Sequence, residues 1–390
     1  MARRISEIDY LRGFAIFGVI LIHTSSYFTK MVNINFLLSF NVFIDSFVSY
    51  SIPLFVFISG FVLAVNYYRD YSVWDFYKKR LSVIIPPYLF FSILYILFTS
   101  IKIEPFGFEL PTWKEALIRI ITANGYYHLW FFALIIQFYL FYPLIIKAYR
   151  FLKLKNLDYL PLIVAFIIQI CWNLYGSLLL NLIPENSFIF PIMSFIIGKF
   201  FLQFLFYFIL GVYLSEKAVT GTFNVRPKSL FFLLPVIILL TTFNAYKIIE
   251  AIKKYGNIEK LTVTIFNPGF SVLNVIVGSL ILIALNGSII LFLYYLSSVL
   301  AKKENFLSRV FKEFGRYSFG IYLIHAAILV TLVNLLRMLL KITPDSIIFY
   351  PIIFLTTSIT SYFIVKALSY IPYSQFFFGV HTKRTIKNSK

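Results

Sequence analysis

The sequence predicts an all-α, polytopic transmembrane bundle of about ten spans, and three observations carry that expectation. Of 390 residues, 60% are hydrophobic and 13% charged, whereas a soluble domain is about half apolar and a quarter charged. The apolar residues come in continuous blocks long enough to cross a hydrocarbon layer of roughly 30 Å. Those blocks lack the two-residue alternation of barrel strands, which leaves helices as the spanning element.

The candidate spans lie near 8–29, 41–66, 82–101, 127–147, 157–175, 194–214, 230–249, 269–299, 317–340 and 346–368. Residues 1–29 read as a retained first span, because Arg12 interrupts the apolar stretch and no small-residue cleavage site follows. The run 269–299 is longer than one span needs, and Asn286-Gly287-Ser288 is a candidate bend or break. The outer connections 102–126 and 250–268 are too short for an independent core. Within the first of them, Pro111–Arg119 reads as a short helix lying at the outer interface. The expected division is a membrane domain over 1–370 and a basic cytoplasmic tail over 371–390.

The net charge of +19 does not form the single basic stripe that nucleic acid would require. Lysine and arginine sit instead in short runs between apolar blocks, as topology signals do. Placing the N-terminus inside gathers Arg3, Arg4, Arg80, Arg226, Lys228, Lys303, Arg316 and the tail after His381 on the cytoplasmic face, with Lys260 among the fewer outer charges. An even number of spans then puts both termini in the cytoplasm. Cys171 is the only cysteine and lies in an apolar run, so it reads as a buried small hydrophobe. The four histidines are scattered without metal-ligand spacing, and no nucleotide-binding motif follows a strand.

Ionisable groups inside spans are functional candidates by default. Arg12 and His23 share the first helix, eleven residues apart, which places them on one face and roughly 16 Å apart along the axis. They are too far apart to bond each other, yet spaced to hold two ends of one elongated ligand. Arg12 suits phosphates near the inner edge, and His23 suits proton removal from a hydroxyl in the outer half. The plain alternatives are an arginine snorkelling to headgroups and a histidine bonding a neighbouring helix. His128 opens the fourth span beside Trp130, as a member of an aromatic belt or of a binding site. Ser318, Tyr322 and His325 fall at i, i+4 and i+7, building one polar face of the ninth span, either a helix–helix seam or a site wall. Ser59-Gly60 suits close helix packing more readily than a catalytic serine.

These residues lie in stretches that resemble the membrane acyltransferase-3 family. Asp9-Tyr10-Leu11-Arg12-Gly13 with His23 is similar to its opening motif, an arginine, ten residues and a histidine. Phe55–Phe61 resembles its second-span signature, and Lys79-Arg80-Leu81 with Pro86-Pro87-Tyr88 the basic segment and proline pair opening the third span. His128-Leu129-Trp130-Phe131 and Tyr317–His325 resemble two later signatures. The resemblance implies O-acyl transfer, usually of acetyl from acetyl-CoA but also of other acyl groups from their acyl-CoA; the scattered histidines give no reason to expect a metal. The implied acceptor is a hydroxyl of a surface or lipid-linked saccharide. The expected setting is multi-pass in the bacterial cytoplasmic membrane, among lipids and glycan-assembly partner proteins. The chain is similar to stand-alone members, including those modifying enterobacterial common antigen or the intercellular adhesin of biofilms.

The mechanism expected from this resemblance has acyl-CoA entering from the cytoplasm, its phosphates on Arg12 and Arg80. His23 acts as general base or carries the acyl group. His128 and Trp130 hold the saccharide, and Tyr322 and His325 line the acyl path. Counted from the expected helix starts, His325 stands roughly 10 Å below His23 and ranks second. A transporter or flippase of lipid-linked saccharide is the main rival. An ion channel is weaker, since no filter sequence is present.

Overall fold

The computed structural model describes residues 6–30, 34–69, 71–102, 107–153, 157–184, 186–187, 189–220, 231–255, 272–302 and 305–379. Arg3, Arg4, Arg226, Lys228, Lys260, Lys303 and the tail from Val380 onward, His381 included, lie outside the described residues. Helix α1 (Ser6–Ser25) leads through a tight turn (Ser26–Lys30) to α2 (Phe36–Val48), α3 (Ser51–Tyr67) and α4 (Val73–Thr99). A two-residue hairpin of β1 (Ile101–Lys102) and β2 (Gly107–Phe108) precedes α5 (Trp113–Ile121), α6 (Trp130–Lys153) and α7 (Leu160–Asn181). Then come α8 (Phe190–Gly198), a 3-10 turn (Phe201–Phe204), α9 (Leu205–Val219), α10 (Leu233–Tyr255) and α11 (Val272–Leu300). The chain ends in α12 (Phe306–Leu335), a π turn (Leu336–Leu340), α13 (Phe349–Leu368) and the short α14 (Gln375–Phe378). Ten stretches of the described residues are long and apolar enough to cross a membrane, making an all-α polytopic bundle.

Two spans are interrupted, and side chains brace both breaks. Pro53 lacks the N–H that would bond the carbonyl of Ser49, and its ring crowds that turn, so the second span breaks into α2 and α3 at Ser49–Tyr50. The Ser49 hydroxyl donates to buried Asn286 at 2.8 Å. In the sixth span the break at Lys199–Phe200 is bridged by one side chain. Gln137 donates to the Lys199 carbonyl and accepts from the Phe201 N–H, both at 3.1 Å. In hydrocarbon those groups have no water to bond, so the amide replaces the missing helical partners.

Three expectations are corrected. The third span does not start at the proline pair: Ser72 caps α4 through the Asp75 N–H, and Pro86 and Pro87 lie inside the helix. Asn286-Gly287-Ser288 does not break α11, which runs through it, with Asn286 tied to Ser49 and to the Tyr207 hydroxyl. Cys171 is exposed on the bundle surface rather than buried; an apolar run is equally suited to face lipid. The interfacial segment does form a helix: Thr112 and Glu115 make a reciprocal cap for α5, and none of its residues is buried. Residues 375–378, counted with the tail, fold back on the bundle, where Phe377 meets Phe90 and Phe378 meets Phe91.

Glycines set the closest helix contacts. A Cβ on Gly60 would strike the Phe208 carbonyl, and one on Gly211 the Phe57 carbonyl, so α3 and α9 touch backbone to backbone. This is the packing use expected of Ser59-Gly60. Gly13 lies against the Phe311 carbonyl and Gly315 against that of Asp9, locking α1 to α12 in the same way.

Candidate active site

The α1–α12 contact positions the site. Arg12 adjoins Gly13 in sequence and Arg316 adjoins Gly315, so the same close approach sets two guanidinium-bearing residues at one end of the bundle. Helices α1, α4 and α12 begin at that end, and α4 adds Arg80. The three arginines line a cavity of about 260 Å³ whose wall continues through Ser59, Phe131, Tyr139 and Ser318 to Tyr322. Arg12 makes a long ion pair with Asp9 (3.8 Å), and Arg316 one with Glu313 (3.9 Å). The Arg80 guanidinium stands 4.9 Å over the Tyr67 ring, and its buried Nε has no hydrogen-bond partner among the described residues. A buried cationic donor without an acceptor is costly. An anion entering the cavity would supply that acceptor.

Tyr322 closes the far end. Its hydroxyl donates to the backbone carbonyl of His128, and its ring stands 5.4 Å from that of His128 and 5.7 Å from that of His325. Behind it the three membrane-region histidines gather. The rings of His23 and His325 stack at 5.4 Å, and His128 meets His325 edge-on at 5.1 Å. His128 and His325 are almost wholly buried and His23 half-buried.

Hydrogen bonding fixes part of the proton arrangement. His325 Nδ1 lies 2.7 Å from the Tyr322 carbonyl, which can only accept, so Nδ1 carries a proton and Nε2 is left without a partner. The Leu323 backbone approaches the His128 ring without completing a hydrogen bond to either nitrogen. Buried nitrogens left open in this way mark hydrogen-bonding capacity that the protein does not itself use. Among the described residues no group of three or more ligand side chains is placed to hold a metal.

Arg12, Arg80, Tyr322, Ser318, His23, His128 and His325 are thus brought into one connected region, with Arg12 and His23 both turned inward. The cavity touches Arg12 but not His23; Tyr322 stands between. The 10 Å offset expected between His23 and His325 is absent, because α12 begins at Phe306, eleven residues before the expected start at 317. At about 1.5 Å per residue His23 and His325 then stand at nearly equal depth. Trp130 is not in the cluster: it packs on Phe204 at 6.2 Å, while its neighbour Phe131 faces Tyr322 at 5.4 Å.

Sequence reading missed two contributors. Arg316 is grouped there with topology charges although it adjoins the Tyr317–His325 stretch. Tyr95 has no local signal at all. It stacks on Tyr126 at 4.5 Å, meets His128 at 5.0 Å, and its hydroxyl bonds the Leu323 carbonyl and the Ala327 N–H.

Among the described residues, the bundle thus holds a cavity with arginines at one end and three histidines beyond the other. The family model described as an acyltransferase domain matches residues 5–366, and the chain belongs to that family, the membrane acyltransferase-3 family. It is a multi-pass membrane acyltransferase. No curated protein and no solved structure matches it.

Proposed function

We propose that this protein moves an acyl group, acetyl foremost, from acyl-CoA to a hydroxyl of a cell-surface or lipid-linked saccharide. The observation that carries the reading is the cavity joining Arg12, Arg80 and Arg316 to Tyr322, with the histidines directly behind it. In this reading the arginine-lined end and both termini face the cytoplasm of a bacterial cell. The guanidiniums hold donor phosphates through paired N–H bonds. The thin pantetheine arm runs between the helices, and movement of the Tyr322 ring admits the thioester to the histidine cluster.

There a His23 ring nitrogen takes the proton of the acceptor hydroxyl as its oxygen attacks the thioester carbonyl. The carbon–sulfur bond breaks, the thiolate of CoA leaves, and it recovers the proton from the imidazolium. His128 and His325 offer open nitrogens beside the reacting groups.

Membranes carrying the protein, incubated with acetyl-labelled CoA, are expected to place label on a glycan fraction. Arg12→Ala and Arg80→Ala should each raise the donor KM about tenfold to a hundredfold, as loss of a charge-assisted hydrogen bond of roughly 1.5–3 kcal/mol predicts. Arg80→Lys should restore little of it, because an ammonium lacks the planar fork. Glycan moved without label would identify a transporter. Unchanged donor affinity in both alanine variants would remove the arginines from the donor site.

A further inference from the structure

The outer end of the histidine cluster carries a second constellation to which the proposed donor site and base assign no part. The Tyr127 ring meets His23 edge-on at 4.8 Å and Tyr126 at 4.7 Å. The phenols of Tyr126 and Tyr127 lie within electrostatic reach of Tyr27. Tyr127 is 46% exposed, so the group opens outward from His23. Above it the Arg337 guanidinium stands 5.9 Å over the Tyr27 ring.

Arg337 is held by unusual backbone. It lies in the π turn Leu336–Leu340, which ends in Lys341 at φ 53°, a left-handed conformation that a lysine seldom adopts. Such turns are rare and recur at functional sites. No acidic side chain among the described residues pairs with Arg337. A guanidinium over an aromatic ring, without an acid among the described residues, is set to receive a phosphate or carboxylate. The exposed tyrosine face fits the C–H side of a sugar ring.

We infer that Tyr27, Tyr126, Tyr127 and Arg337 form the acceptor subsite above His23, and that it takes a saccharide bearing an anionic group, phosphate or carboxylate. The inference rests on the proposed transfer reaction and names its acceptor class. A bilayer headgroup presents the same phosphate chemistry, so the test separates the two sources.

Membranes of the producing cells, with their endogenous acceptor, supply the assay with acetyl-labelled CoA. Arg337→Gln should lower glycan labelling at least tenfold at equal protein level with donor KM unchanged, and Arg337→Lys should retain more of it. Tyr127→Ala should lose labelling similarly, and Tyr127→Phe should keep it. Full labelling in Arg337→Gln overturns the inference. So does a loss that disappears when the purified protein is assayed, with acceptor extracted from those membranes, in phosphatidylcholine nanodiscs instead of phosphatidylglycerol ones, since that pattern assigns Arg337 to lipid. Absence of labelling by the unaltered protein overturns the transfer reading itself, and this inference with it.

Discussion

His23→Ala is expected to lower acyl transfer about a hundredfold to ten-thousandfold while leaving donor binding at the arginines intact. That range is what a positioned general base typically contributes. The substitution removes an imidazole that meets both Tyr127 and His325. Because the cavity is lined by Arg12 and ends at Tyr322 without touching His23, CoA binding to the purified protein provides an independent readout. Loss of transfer with binding retained assigns His23 to the reaction. Transfer near the original rate eliminates it as the base, and parallel loss of both quantities points to a disturbed fold.

The largest stability effect is expected at the glycine contacts. Gly315→Leu forces a side chain into the Asp9 carbonyl, and Gly211→Leu into the Phe57 carbonyl and the Phe61 N–H. The obstacle is helix backbone, which cannot swing aside as a flexible side chain can. Overpacking of a closed core costs about 1–3 kcal/mol and more where nothing yields. Both variants should therefore lose most folded protein, read as monodisperse material by size-exclusion chromatography after heating in detergent. Gly198→Ala and Gly278→Ala meet nothing within 4 Å and serve as controls. If the leucine variants tolerate heat like the controls, α1–α12 and α3–α9 do not pack as closely as described.

What the sequence revealed depended on whether the signal was local. Apolar blocks marked the spans, and the Arg12–His23 spacing set both residues on one face, because helix periodicity needs only near neighbours. Depth was less legible. The polar start of α12, with Arg309, Lys312, Glu313 and Arg316, reads as loop by hydropathy. Asn305 caps it nonetheless, its side chain accepting from Ser308, and the helix starts far enough back to lift His325 to His23. Direction was least legible. An apolar side chain is equally at home towards lipid and towards protein, so the exposure of Cys171 and the turn of Trp130 away from the histidines had no local sign. The Tyr95 clamp joins residues 228 positions apart, and nothing in the neighbourhood of Tyr95 announces it.

The phenol at the end of the arginine-lined cavity bears on the energetics of the cell as well as on the reaction. Every elementary charge that leaks across a bilayer dissipates about 2.3 kcal/mol per 100 mV of membrane potential. A passage open at both faces and furnished with imidazoles would be a route for protons. With its hydroxyl fastened to the backbone carbonyl of His128, Tyr322 separates the arginine-lined cavity from the histidines. In the proposed reaction, that separation would let an acyl group be handed on while the ion gradient stays insulated.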